Sequence, residues 1–277
     1  CKRRRARLFR RKQLLYHRRQ PNDAGPVSKR CEKRRCDCAV QQKPKRGLTK
    51  TEWLTGVSTL ILAPAAVLWG VYGMSDRKYY FISLIIILCA MLPFFLLFEH
   101  RRPQARELVT LSVLCAVAVA GRAAFYMLPQ FKPVAAIVII AGVSLGAQSG
   151  FLVGAISAFV SNFFFGQGPN TPWQMFAFGI IGFLAGILYE RGPLKTSRLS
   201  LCIFGGASTL LLYGGTVNAG TLLISGLPVT LPAYLAVCLG SLPFDLIHAA
   251  ASVVFLFFIS QPMIEKIERI KKKYGLM

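Results

Sequence analysis

The apolar residues of this chain fall in long unbroken runs rather than at amphipathic spacing. Runs at about 53–73, 80–98, 108–128, 133–145, 150–165, 173–189, 199–224 and 233–260 predict eight helices. A bilayer core takes roughly 20 mostly apolar residues per crossing, so the chain beyond its first fifty residues has room for these helices and for no large soluble domain. The runs at 133–145 and 150–165 are short for separate spans, and the uncharged link 146–149 joins them. The first two runs hold Pro64 and the interfacial residues Trp53, Trp69, Tyr79 and Tyr80, with almost no other polar group, and read as an anchor hairpin. From about residue 108 the texture changes to small residues, buried polar side chains and Pro/Gly turns. These shifts divide the chain into a basic tail (1–50), a two-helix hairpin (51–98) and a six-helix part (99–277), with a boundary near 99–107.

Composition agrees with the runs: 54% of the 277 residues are hydrophobic and 16% charged. The net charge of +23 would indicate nucleic acid if it were spread over a globular surface, but residues 1–50 hold 19 Lys/Arg against three Asp/Glu. A basic tail ahead of a membrane span acts as a topology signal and a contact for anionic lipid heads, so no nucleic-acid partner is expected. The connections 99–107 and 190–198 and both ends are rich in Arg and Lys, whereas 129–132, 166–172 and 214–232 carry only Lys132. The positive-inside bias then places both termini in the cytoplasm of a multi-pass plasma-membrane protein, in agreement with an even helix count. Because the chain starts at Cys1 rather than Met, an incomplete start is expected and the tail carries no functional argument. Cys31, Cys36 and Cys38 cluster without the paired spacing of a zinc site, and Cys89, Cys115, Cys202 and Cys238 sit in apolar runs as small hydrophobes, so no metal is expected.

Polar side chains inside a bilayer are costly unless they pair or face a cavity, which makes each a functional candidate. With the topology above, Arg122 and Tyr126, Asn162, Trp173 and Gln174, Asn218, and Asp245 with His248 all fall toward the outer ends of their helices. They lie beside the irregular link Gly166-Gln167-Gly168-Pro169-Asn170-Thr171-Pro172. This convergence predicts a pocket open to the outside with a loop as its lid; the competing reading is an Arg122–Asp245 ion pair with amides that merely join helices. Small residues recur every four positions at Gly146, Gly150, Gly154 and Ala158, at Ala116, Ala120 and Ala124, and at Gly182 and Gly186, a spacing that lets helix backbones approach closely. The glycine series reads as internal packing; the alanine series leaves internal packing and a subunit contact both open. No GxxxxGK[ST] or HExxH motif occurs, so neither ATP hydrolysis nor any other enzymatic activity is expected of this chain, and no cofactor.

The segments GRAAFYMLPQFKPV, SNFFFGQGPNTPWQM and GIIGFLAGILYE, followed by LPFDLIHAAASVVFLFF and KIERIKKKYG, resemble the S components of energy-coupling factor (ECF) importers over about 105–277. The resemblance implies an all-α integral membrane protein in which a six-helix S-component bundle, here preceded by two additional transmembrane helices, captures a vitamin or related micronutrient at its outer face. It implies as partners a membrane coupling subunit and two cytoplasmic ATPase subunits. It also implies that Ala116 and Ala120 match the family's alanine motif for the coupling subunit. Arg122, Tyr126, Asn162, Gln167, Trp173, Gln174 and Asp245 are the expected substrate-binding residues. The SNFFFGQGP group is similar to S components that take cobalamin or another corrinoid, while Asn170 stands where the pattern GQGPWTPWQ carries tryptophan. The alternatives are a gradient-driven secondary transporter with Asp245 and His248 as relay, for which inverted repeats are not found, and a membrane enzyme acting on lipid, for which the required acidic or histidine clusters are missing.

Overall fold

A computed structural model describes residues 105–274 and part of 87–99. The basic tail with its three clustered cysteines, the first expected helix and the aromatic residues assigned to its interface lie outside the described residues. From residue 105 onward the chain forms six helices and no strand: α1 (Ala105–Ala124), α2 (Val134–Leu145), α3 (Ala147–Phe165), α4 (Thr171–Arg191), α5 (Arg198–Ile224) and α6 (Leu231–Tyr274). Five of them are long and apolar enough to cross a membrane. The protein is therefore an all-α integral membrane protein, and the six helices fall where the apolar runs place them, to within a few residues except at the C-terminal end of α6.

The exception among the six is α2. Its 12 residues, VAAIVIIAGVSL, are apolar all round, and every one of them is buried, as a helix without a polar face must be. At 1.5 Å per residue it is about 18 Å long, well short of a bilayer core of about 30 Å. It instead lies among α1, α3, α4 and α6. A single residue, Gly146, joins it to α3, with φ 97°. Only glycine adopts that backbone conformation without steric cost.

The expected internal packing of the glycine series is what the helices show. A Cβ added to Gly182 on α4 would collide with the carbonyl of Gly150 on α3, and one on Gly142 of α2 would meet the carbonyl of Gly182. Three backbones therefore share one seam, drawn together by dispersion contacts that larger side chains would prevent. The same approach is repeated where Gly154 faces the Phe178 carbonyl and Gly186 faces Ala147.

Two helices depart from regular geometry. Within α5, residues Thr209–Tyr213 form a π turn between two α segments, and α6 carries Pro243 and Pro262 in its interior, each removing a backbone donor. At 44 residues α6 far exceeds a single crossing. Its C-terminal part is tied down: the Arg106 guanidinium donates to the Tyr274 carbonyl at 3.2 Å, the buried Lys271 ammonium donates to the Ser144 carbonyl at the end of α2, and Gln261 donates to the Thr196 carbonyl. These contacts gather one end of the bundle, rich in Arg and Lys; loops 125–133, 166–170 and 225–230 form the other, the loop end.

The described residues of 87–99 are helical, with Ile87, Met91, Phe94 and Phe98 buried and Leu88, Leu92 and Leu96 about half exposed. The Phe94 ring stacks on Phe151 of α3 at 3.9 Å and meets Phe183 of α4 edge-on at 4.9 Å. The boundary near 99–107 is thus one of composition, and aromatic packing crosses it.

Candidate functional site

At the loop end, the last turn of α1 presents Arg122 toward the last turn of α3. Its guanidinium donates to the hydroxyl of Ser161 and, at 2.8 Å, to the amide oxygen of Asn162. The amide nitrogen of Asn162 donates to Thr171 Oγ1 at 3.1 Å and to Gln174 Oε1 at 2.9 Å, both in the first turn of α4. Asn162 is 3% exposed and Ser161 1%, so these bonds form away from bulk solvent, where an unmet polar group is expensive. Thr171 Oγ1 also accepts from the backbone N–H of Gly168 at 3.1 Å, which fixes the 166–170 loop to the same network. Short side chains with one donor and one acceptor are what a junction between three helix ends requires.

An aromatic layer borders this network. Arg122 lies over the Phe165 ring at 4.5 Å and Lys132 over it at 4.9 Å, two cation–π contacts to one ring. Burial, and then the charge of Arg122, hold the Lys132 ammonium below the ordinary lysine range. Tyr126 is exposed and packs on Phe165 at 5.3 Å. Phe125 and Phe131 of the 125–133 loop meet Phe255 and each other at 5.1–6.1 Å, beside an open, shallow apolar recess of about 310 Å³ lined by Leu128, Pro129, Phe131 and Ile247.

A second polar group joins α5 to α6. Asn218 donates to Ser241 Oγ at 2.7 Å and to Asp245 Oδ2 at 3.1 Å, and Ser241 donates to the same carboxylate oxygen at 2.8 Å. Gly214 brings the α5 backbone beside that carboxylate, and Tyr234 donates to the Gly215 carbonyl at 3.2 Å. Arg122 and Asp245 form no ion pair with each other among the described residues. Each has its own amide and hydroxyl partners. Tyr213, buried on the π turn, lies within the electrostatic reach of both, and its ring meets His248 at 4.6 Å and Phe178 at 4.6 Å.

The structure thus brings Arg122, Asn162 and Gln174 into one network, with Tyr126 attached through Phe165, and sets Asp245 in a separate group. Gln167 is exposed and turns back to donate to the Phe159 carbonyl at 3.0 Å. Trp173 is 5% exposed and fills the space above Gly220 in the core. Sequence reading left out Ser161, Tyr213 and Ser241 and named Thr171 only as part of the 166–172 link. Ser161 and Ser241 carried a usable signal, since one adjoins Asn162 and the other lies one turn before Asp245 on α6. On α1, Ala116 and Ala120 are exposed beside Val113 and Val117, so their stripe faces away from the bundle.

No curated protein and no solved structure matches the chain. The sequence model of one family, described as ECF transporter, substrate-specific component, matches residues 106–260, more than half of the chain and nearly the whole of the six-helix bundle that carries both polar groups. The chain belongs to the family of ECF transporter substrate-specific components.

Proposed function

We propose that this protein captures a vitamin or related micronutrient at the extracellular face and delivers it inward through ATP hydrolysis by partner subunits, with cobalamin or another corrinoid as the leading ligand. The carrying observation is the Arg122–Ser161–Asn162–Thr171–Gln174 network, which gathers five polar side chains from three helices at one end of the bundle and ties the 166–170 loop to them. Such a cluster within membrane-spanning helices orients a polar ligand as well as joining helices. In this reading Arg122, Tyr126, Asn162, Gln174 and Asp245 contact the ligand, while Gln167 and Trp173 act through the loop and helix they hold.

The loop end faces outward in this proposal, with both termini in the cytoplasm, because Arg106, Arg198, Lys266, Arg269, Lys272 and Lys273 lie toward the opposite end. Membership of the family implies a membrane coupling subunit and two ATPases as partners, and the outward stripe of Ala116 and Ala120 offers helix α1 a surface for close contact with the first of these. The chain itself performs no covalent chemistry in this scheme.

The test is to purify the full chain in detergent, identify any co-purified ligand by mass spectrometry, and measure uptake in vesicles with and without the partner subunits. Near-stoichiometric corrinoid or another vitamin, with uptake only when the ATPases and coupling subunit are present, is the expected result. Uptake by the chain alone that collapses with an uncoupler would replace this reading with a gradient-driven carrier.

A further inference from the structure

Among the described residues several buried polar atoms have no hydrogen-bond partner, Asn170 Oδ1 in the 166–170 loop and His248 Nδ1 on α6 among them. His248 is 3% exposed, and among the described residues its buried Nδ1 has no hydrogen-bond partner. Its surroundings are aromatic: Tyr213 approaches edge-to-face at 4.6 Å and Phe178 at 5.9 Å. Phe178 lies one helical turn along α4 from Gln174, so the imidazole sits one turn below the Arg122 network, and it shares a face of α6 with Asp245 three residues earlier.

An unmet buried polar group costs about 1–3 kcal/mol, a cost that phenylalanine, with the same ring contacts, would not carry at this position. The surroundings hold the ring in place. Tyr213 reaches the imidazole from the π turn Thr209–Tyr213, a helix irregularity that is frequent at functional sites. The backbone of His248 is held in turn: Ser252 Oγ donates to its carbonyl at 2.9 Å and Thr209 Oγ1 donates to Ser252 at 3.0 Å. The ring is therefore positioned by its neighbours, while its Nδ1 is left without a protein partner.

We infer that His248 is a specificity-determining residue of the capture site, whose Nδ1 hydrogen-bonds a neutral polar group, an amide or ring nitrogen or oxygen, on the inner part of the bound solute. The inference rests on the functional reading above and adds the residue and the ligand chemistry it selects. A neutral group is required because the aromatic walls would penalise a charge far more than an amide. Tyr213 and Phe178 then supply flat faces against which a ring or conjugated segment of the solute packs.

The test compares full-length wild type with His248→Phe, His248→Asn and His248→Gln in detergent, using thermal unfolding without ligand and equilibrium binding to a vitamin panel led by cyanocobalamin. Phenylalanine keeps the ring contacts and removes Nδ1, so His248→Phe should unfold at a higher temperature than wild type when empty, yet bind about 5- to 150-fold more weakly. Asparagine places its amide near the position of Nδ1 and glutamine near that of Nε2, so His248→Asn should retain more affinity than His248→Gln. Equal binding by wild type and His248→Phe, a lower unfolding temperature for empty His248→Phe, or equal affinities of the Asn and Gln variants would each overturn the inference while leaving the transporter reading intact. A wild type that binds no member of the panel would overturn both.

Discussion

Asn162 is the residue on which the loop-end network depends, because its one amide serves Arg122 as acceptor and Thr171 and Gln174 as donor. Asn162→Ala leaves those groups short of partners in a buried place, and a loss of about 1–3 kcal/mol of stability is expected, measurable as a lowered unfolding midpoint, together with weaker ligand binding. A variant with wild-type midpoint and affinity would remove Asn162 from the site. At this scale the sequence was informative about residue type and silent about direction. Arg122, Asn162 and Gln174 stood out because amides and a guanidinium are rare in membrane helices, and they do meet. Trp173 stood out by its place beside Gln174 at the start of α4, yet its indole packs on Gly220 in the core; a tryptophan near the start of a helix satisfies either use, and only the neighbours decide. His248 was visible, but its unpartnered nitrogen becomes evident only when the rings around it are placed.

Helices were the most legible level, since an unbroken apolar run long enough to cross a bilayer is compatible with little but a helix. What hydropathy left unresolved was the relation between α2 and α3, because a 12-residue apolar run is compatible with a partial span, a loop or a core helix, and the answer depends on Gly146 and on the glycines that let three backbones converge. The seam yields a contrast. Gly182→Ala pushes a methyl group into the Gly150 carbonyl and the Val138 side chain, and should cost at least about 1–3 kcal/mol. Gly168→Ala, in the 166–170 loop with open space around it, should stay within about 0.5 kcal/mol. Thermal unfolding of the two variants side by side checks the packing, and similar losses in both would contradict it. The exposed alanine stripe of α1 belongs to this scale as well. Ala116→Trp should stop uptake in the assembled transporter while leaving ligand affinity of the isolated subunit unchanged; reduced affinity would show that the stripe serves internal packing.

For the whole molecule, the composition boundary near 99–107 and the packing boundary differ. Alternation of buried Ile87, Met91, Phe94 and Phe98 with exposed Leu88, Leu92 and Leu96 is a helical period spelled entirely in apolar letters, so hydropathy could not reveal which face meets the bundle. Phe94 does so through Phe151 and Phe183. Phe94→Ala should therefore destabilise the six-helix part by about 3–5 kcal/mol, seen as a lower unfolding midpoint of the full chain; an unchanged midpoint would show the preceding helix to be an independent anchor. The fully buried α2 has a further consequence for biosynthesis. A helix of about 18 Å cannot hold a stable position across lipid by itself, and the one-residue turn at Gly146 leaves it no slack to wait apart from α3. As the nascent chain leaves the ribosome, residues 134–165 must enter the bilayer together as a hairpin, and α2 becomes fully sheltered only after α4 has closed the glycine seam and α6, the last of its neighbours, has been synthesised.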